Sequence, residues 1–188
     1  VNYDEKISPE CLYGDTKSKR NIVLYGDSHA AQWFPALEKI AKDGGFALTS
    51  LTKSACPAVE VNRVESGAFK NSDCNAWRKN AIERINKLKP DTVIMSSFQH
   101  FEIPKSFSSR DAWWFEGQRS LYRNLVNSSP KLVYISDTPK PLRDIPSCLT
   151  TAKSDECDGS VRSDPRVSGG FITLDPTPWL CADSCPAI

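Results

Sequence analysis

The chain has 188 residues, which is enough for one domain with a substantial core and too few for two comfortable ones. Its formal net charge of +1 gives no reason to expect nucleic acid or an anionic membrane surface as a partner. No apolar run approaches the roughly 20 residues of a membrane span, and no signal peptide opens the chain, so we expect a soluble globular domain.

After a polar lead-in over residues 1–20, strand and helix patterns alternate along the chain. The predicted strands are Ile22–Tyr25, Phe46–Leu51, Asp91–Met95, Leu132–Ile135 and Phe171–Leu174, and the predicted helices are Ala30–Ala41, Trp77–Leu88 and Trp114–Leu125. Such alternation is typical of a parallel sheet with helices on both faces. We therefore predict a three-layer α/β/α sandwich with a mainly parallel five-stranded sheet over residues 21–188.

A potential nucleophile stands where the first predicted strand ends and the first helix begins. Gly26 permits a tight turn after the buried strand, and Ser28 follows it. In open α/β sheets ligand crevices lie at this carboxyl edge, where backbone N–H groups at a helix start can stabilise an oxyanion. The spacing fits a catalytic serine and fits equally well a turn in which Asp27 and Ser28 only cap the helix.

The chain has seven cysteines, and their spacing indicates the redox environment of the protein. They include no Cys-x-x-Cys pair and the two histidines do not flank them, so a zinc site is not expected. Local spacing suggests bridges Cys56–Cys74, Cys148–Cys157 and Cys181–Cys185, which suit an oxidising compartment and leave Cys11 over. An odd cysteine near an abrupt start suggests a partner upstream. The alternative is that these cysteines are reduced, buried thiols.

Four segments together resemble the SGNH (GDSL-type) hydrolases, whose fold is flavodoxin-like. More specifically, they resemble the extracytoplasmic SGNH domain fused to bacterial transmembrane acyltransferases that O-acetylate cell-surface glycans and glycolipids. The segments are Leu24–Trp33, with Gly-Asp-Ser-His-Ala at its centre, Thr52–Pro57, Asp73–Arg78 and Asp175–Cys181. Gly-Asp-Ser alone would be weak evidence, but the whole set occurs in this order over most of the chain.

The resemblance implies that Ser28 is the acyl-accepting nucleophile and that its own N–H is one oxyanion donor. A second donor would come from the backbone of Ser54 or Ala55, in the loop after the second strand, where Ala55 replaces the glycine that commonly stands near this point. The asparagine of the family's third block is missing, and Gln99 in its place is a weak candidate for supplying an amide. No cofactor and no metal are implied.

The catalytic base is the largest departure from the family. An Asp-x-x-His motif follows the family's final cysteines and provides the base, whereas this chain stops at Ile188, so we expect the domain to lack this segment. His29 should point away from Ser28, because successive helical residues diverge by roughly 100° around the axis. His100 follows the third strand at the same edge and is a conceivable base, against the alternative of a substrate-groove or surface residue.

Three further features stay open. Asp27 is expected to be a hydrogen-bonding turn residue rather than a catalytic group. The aromatic cluster Trp113–Phe115, which comprises Trp113, Trp114 and Phe115, fits stacking on a sugar and fits core packing at least as well. The family tends to carry a helix between the positions of Cys157 and Phe171, where this chain has only a short polar stretch.

The resemblance implies an extracytoplasmic domain of an O-acyltransferase. An acetyl group would rest on Ser28 and pass to a hydroxyl of a cell-envelope glycan or glycolipid. The expected partners are this acceptor and a transmembrane acyltransferase domain upstream on the same polypeptide, which would hold the domain at the plasma membrane through the lead-in. The alternatives are a freestanding carbohydrate esterase, with water as the acceptor, and a non-catalytic domain that only binds glycan.

Overall fold

The computed structural model describes residues 1–139, 144–157, 159–160, 169–181 and 184–185. The strands are β1 (Leu12–Gly14), β2 (Asn21–Gly26), β3 (Ala47–Thr52), β4 (Thr92–Ser96), β5 (Leu132–Ile135), β6 (Gly159–Ser160), β7 (Ile172–Leu174) and β8 (Ser184–Cys185). The helices are α1 (Ser28–Ala31), α2 (Phe34–Gly44), α3 (Asn71–Leu88), α4 (Arg110–Leu125), α5 (Ile145–Leu149), α6 (Ser154–Cys157) and α7 (Thr177–Leu180). Within these ranges, no helix combines the length and the apolar character needed to cross a membrane.

Six strands form one sheet in the order β1-β3-β2-β4-β5-β7. The five strands predicted from the sequence are all present and run parallel, which confirms the mainly parallel sheet. The sixth strand, β1, was not predicted: Leu12–Gly14 lies inside the lead-in and pairs antiparallel with β3. A three-residue edge strand needs only backbone pairing, and its residues show no buried apolar alternation, so the sequence carries no strand signal there.

Helices cover both faces of the sheet, as the three-layer prediction requires. On one face α2 packs Leu37 and Ala41 against residues of β2 and β3. On the other face α3 and α4 build the larger core, to which they contribute Trp77, Ala81, Ile85, Trp113, Trp114, Leu121 and Leu125. Two members of the predicted aromatic cluster are thus fully buried and the third is partly buried against them, which favours core packing over sugar stacking.

The single helix predicted after Ser28 is two helices in the structure. α1 ends at Ala31, and α2 begins at Phe34 with Pro35 as its second residue. A proline within a helix removes an N–H donor, and its ring clashes with the carbonyl group four residues earlier, here that of Ala31. The chain therefore breaks after the first turn, which leaves Trp33 at the junction.

The lead-in packs on the domain through the loop after β3. The side chain of Lys53 is buried, and its Nζ donates hydrogen bonds to the carbonyl oxygens of Asn2, Tyr3 and Glu5 at 2.6, 2.8 and 2.6 Å. A buried ammonium group is tolerated only when its donors are satisfied, and these three carbonyls satisfy them. That residues 1–20 continue from an upstream domain stays a prediction.

Two of the three predicted disulfides are present. Cys56–Cys74 joins the loop after β3 to the first turn of α3, and Cys148–Cys157 joins α5 to α6. Cys181 is disulfide-bonded, but its predicted partner Cys185 has a side chain outside the described residues. Cys11 is free, as expected. Most of the stretch between Cys157 and Phe171, where the family tends to carry a helix and only a short polar segment was expected here, lies outside the described ranges.

Candidate active site

Ser28 is exposed at the carboxyl end of β2, where it is the first residue of α1. Gly26 makes the turn possible. Its φ of +150° is a conformation that residues with a side chain rarely adopt, and a Cβ there would collide with the carbonyl oxygen of Ser96 on β4 and with the side chain of Ala30. Only glycine lets β2 stay paired with β4 while the chain turns into the serine.

The carboxylate of Asp27, one residue before Ser28, is buried. It accepts hydrogen bonds from the backbone N–H of His29 at 2.9 Å and from that of Phe98, after β4, at 3.0 Å. Burial raises the pKa of Asp27 to about 6, because desolvation of the charged form outweighs these hydrogen bonds. Asp27 is thus the hydrogen-bonding turn residue that the sequence predicted, and it ties the Ser28 turn to the loop after β4.

A histidine–carboxylate pair lies beside the same turn. Nδ1 of His29 is 2.5 Å from Oδ1 of Asp137, a residue just after β5. The hydrogen bond to Asp137 raises the pKa of His29, and it does so more strongly than burial of the ring lowers that pKa. Oδ2 of Asp137 accepts the backbone N–H of Gln99 at 2.9 Å. Asp137 was not predicted from the sequence, although an acidic residue two positions after an apolar strand at the carboxyl edge was the available signal.

No hydrogen bond joins the ring of His29 to the Ser28 hydroxyl among the described residues. Nδ1 of this ring is bonded to Asp137, and the expected direction of the ring relative to Ser28 stays a prediction. The ring of His100 packs edge-on against Phe98, with 5.6 Å between the ring centroids. The role of His100 as base stays a prediction.

The second oxyanion candidate lies in the turn after β3. Ala55 has a φ of +55°, the left-handed conformation that glycine adopts without strain, at the point where the family commonly has glycine. The carbonyl oxygen of Ala55 accepts a hydrogen bond from Nε of Arg63 at 3.3 Å, and the guanidinium of Arg63 lies over the ring of Phe69. The N–H of Ser54 already donates to the carbonyl oxygen of Val1 at 3.2 Å. Of the two candidates, Ala55 is thus the one without that competing bond.

Gln99 is placed at the carboxyl end of β4 but its side chain is buried. Its amide nitrogen Nε2 is shielded from solvent and has no hydrogen-bond partner in the part of the chain that the structure describes. A buried amide does not face an incoming substrate in this conformation. Its backbone is held on both sides, because the N–H donates to Asp137 and the carbonyl oxygen accepts from Arg110 at 3.3 Å.

The last of the four family segments returns to the first. Trp179 on α7 is 60% exposed, and its ring meets that of Trp33 edge to face with 6.1 Å between centroids. The turn before α7 is stabilised by Asp175, whose Oδ1 accepts the N–H of Thr177 at 2.9 Å. The segment Asp175–Cys181 therefore lies against the junction of α1 and α2, which follows Ser28 directly.

The loops that follow β2, β3 and β4 meet at one edge because these strands are parallel neighbours. At this edge Ser28 is exposed on a turn that the buried carboxylate of Asp27 fixes. The turn after β3, with the left-handed residue Ala55, belongs to the same edge. Such an arrangement suits a nucleophile in an α/β hydrolytic or acyl-transfer site.

The chain belongs to the SGNH family: the family model for the SGNH domain fused to AT3 domains matches residues 2–188. The family predicted from the sequence is thereby confirmed, together with its assignment to a domain of acyltransferase proteins.

The chain is similar in fold to a solved structure. It is the periplasmic domain of a lipopolysaccharide acetyltransferase from Salmonella ser. Paratyphi A, with a TM-score of 0.64 and 14% sequence identity. The match covers 92% of this chain and 72% of that one. Identity at this level supports the fold alone. No curated protein matches the chain.

Proposed function

We propose that this chain is the extracytoplasmic domain of an O-acyltransferase in which Ser28 carries an acetyl group and passes it to a hydroxyl of a cell-envelope glycan or glycolipid. The observation that carries the proposal is the exposed Ser28 on a turn held by Asp27 at the carboxyl end of β2, in a family whose SGNH domains are fused to AT3 domains. The similar fold of a periplasmic acetyltransferase domain supports the same cellular side.

In the first half-reaction the Oγ of Ser28 attacks the acyl carbonyl carbon of the donor. A base takes the hydroxyl proton, the Oγ–C bond forms, and the donor group leaves with a proton as the tetrahedral intermediate collapses. In the second half-reaction a sugar hydroxyl attacks the same carbonyl carbon and loses its proton to the base. The second tetrahedral intermediate then collapses: the bond between Oγ and the acyl carbon breaks, the ester stays on the sugar, and the base returns the proton to Oγ of Ser28.

The tetrahedral oxyanion needs preorganised N–H donors. We assign these to the backbone N–H groups of Ser28 and Ala55. The hydrogen bond from Ser54 to Val1 supports Ala55 over Ser54, and the bond from Arg63 to the Ala55 carbonyl holds the next peptide of the same turn.

The base is proposed to come from the Asp-x-x-His motif of the family, which would follow Cys185 beyond Ile188. A serine hydroxyl is a weak nucleophile near neutral pH, so a base is required. The base is assigned elsewhere than His29 because His29 is the residue after Ser28 on α1, and successive helical residues diverge by roughly 100° around the axis.

The test uses the full-length protein with its native membrane part. After incubation with donor and rapid quenching, peptide mapping should find one acetyl group on the peptide that contains Ser28. Ser28→Ala should lose both this label and acetyl transfer to the envelope acceptor. Ser18→Ala is the matched control, because Ser18 precedes β2 at the opposite edge of the sheet, where its hydroxyl donates to the carbonyl oxygen of Gly45, and should leave both unchanged.

Transfer at the wild-type rate by Ser28→Ala would contradict the proposal. The esterase alternative is distinguished by the fate of the acetyl group. If added glycan does not accelerate loss of the label and free acetate is the product, water is the acceptor and the domain is an esterase.

A further inference from the structure

Two carboxylates hold the loop after β4 from opposite sides. Asp27, at the end of β2, accepts the N–H of Phe98, and Asp137, at the end of β5, accepts the N–H of Gln99. In the sheet β4 lies between β2 and β5. The loop after β4 is therefore fixed at two successive peptides by its two neighbouring strands.

His29 is the residue that connects the two carboxylates. Its backbone N–H donates to Asp27 at 2.9 Å, and its ring Nδ1 lies 2.5 Å from Asp137. The Asp137 side chain is 5% exposed and that of His29 is 29% exposed. A nearly buried carboxylate requires donors, and here the ring of His29 and the N–H groups of Gln99 and Thr138 supply them.

We propose that His29 is a positioning residue for Ser28: its ring holds the turn that carries the nucleophile against Asp137 and so ties this turn to the ends of β4 and β5. The proposal rests on the proposed function, because it takes Ser28 to be the nucleophile. His29 itself does not take the serine proton.

The protonation state of His29 decides the strength of this tie. The imidazolium form makes a charge-assisted hydrogen bond to Asp137, which is roughly twice as strong as a neutral one. The titratable groups around the ring are Asp27 on its own turn, Asp137 after β5 and, across the Phe98 ring, His100 after β4. The two carboxylates both favour the charged ring, and the hydrogen bond to Asp137 is the largest cause of its raised pKa.

The experiment measures kcat and KM of the full-length protein on p-nitrophenyl acetate as a function of pH. His29→Ala should lower kcat by about 10–100-fold with little change in KM, because a small displacement of a nucleophile affects the reaction step more than binding. His29→Asn places an amide donor near the position of Nδ1 and should recover most of kcat. The wild type should lose kcat as the pH rises through the pKa of His29, and His29→Asn should lack this alkaline limb.

Asp137→Asn should lower kcat at least as much as His29→Ala, because it also weakens the bonds from Gln99 and Thr138. Adding His29→Ala to Asp137→Asn should lower kcat little further, because the shared bond is already lost. Asp43→Asn is the matched control: it removes an exposed ion pair with Lys39 on α2 and should leave kcat and its pH profile unchanged. Wild-type kcat and pH profile in His29→Ala, or an alkaline limb retained in His29→Asn, would overturn the proposal.

Ser28→Ala separates this inference from the proposed function. If Ser28→Ala abolishes turnover while His29→Ala behaves as the wild type, only the positioning role of His29 fails. If Ser28→Ala keeps its turnover, the proposed function fails and the positioning role fails with it.

Discussion

Nδ1 of His29 and Oδ1 of Asp137 are 2.5 Å apart although 108 residues separate them in the chain. The contact exists because β2 and β5 flank β4 in the sheet, so that the loops after all three strands end at one edge. It places an ionisable pair one residue away from the exposed Ser28, and it makes the stability of this edge depend on pH.

The first prediction concerns this pair. The pKa of His29 is raised above 6.5 in the folded protein, so its bond to Asp137 contributes stability that is fully present below pH 6.5 and is lost as the pH rises through the folded value. In urea unfolding between about pH 5 and pH 8, the free energy of unfolding of the wild type should exceed that of His29→Asn most at the acid end. The difference in free energy of unfolding between the wild type and Asp43→Asn should not change with pH. The prediction is contradicted if the difference between the wild type and His29→Asn does not change with pH either.

Asp27 makes the free energy of unfolding depend on pH as well, over a range below that of His29. Its pKa rises from 3.8 to about 6 on folding, so the folded state binds the proton more tightly and its free energy of unfolding falls as the pH rises between these values. The fall attributable to Asp27 is about 3 kcal/mol at 1.36 kcal/mol per pKa unit. Asp27→Asn replaces one acceptor oxygen of the carboxylate by an amide nitrogen at every pH. It also removes the dependence of the free energy of unfolding on pH that Asp27 causes.

The measurement is urea unfolding of wild type and Asp27→Asn from about pH 4 to pH 7. Asp27→Asn should gain stability relative to the wild type along this range. Parallel stability curves for the two proteins would show that the Asp27 carboxyl is not desolvated as the structure has it.

The left-handed backbone of Ala55 predicts a stabilising substitution. An L-residue in this conformation costs roughly 1–2 kcal/mol, which glycine avoids while it loses more chain entropy on folding. Ala55→Gly should therefore raise the free energy of unfolding by up to about 1 kcal/mol. Ala76→Gly, within α3, should lower it by about 1 kcal/mol, because glycine is unfavourable in a helix interior. A loss of stability of the same size in both variants would contradict the strained turn.

The Cys56–Cys74 disulfide should contribute more to stability than any other cysteine pair whose partners are both described. It closes 18 residues, against 9 for Cys148–Cys157, and both of its cysteines are buried. Replacing Cys56 and Cys74 by alanine should cost about 3 kcal/mol, since a longer closed loop restricts the unfolded chain more. Cys11→Ser is the control and should shift stability by less than about 0.5 kcal/mol. A double variant as stable as this control would contradict the prediction.

The local sequence determined the parallel strands, the place of Ser28 and the disulfides Cys56–Cys74 and Cys148–Cys157. Each of these depends on a short-range signal: an apolar run bounded by a turn, a glycine before a serine, or two cysteines close in sequence. These signals did not predict that the helix after Ser28 breaks before Pro35. The position of the break depends on which backbone carbonyl group the proline ring would clash with, and that is a matter of three-dimensional geometry.

The tertiary structure alone decided the pairing of β1 with β3, the burial of Lys53 under the lead-in and the bond between His29 and Asp137. In each case the partners are distant in sequence, and at least one is a backbone group or an isolated polar side chain with no periodic pattern. Hydrophobic periodicity predicts which face of a strand is buried, but it does not predict the order of the strands in the sheet. The strand order decides which strand ends become neighbours, and therefore which polar groups at those ends can bond to each other.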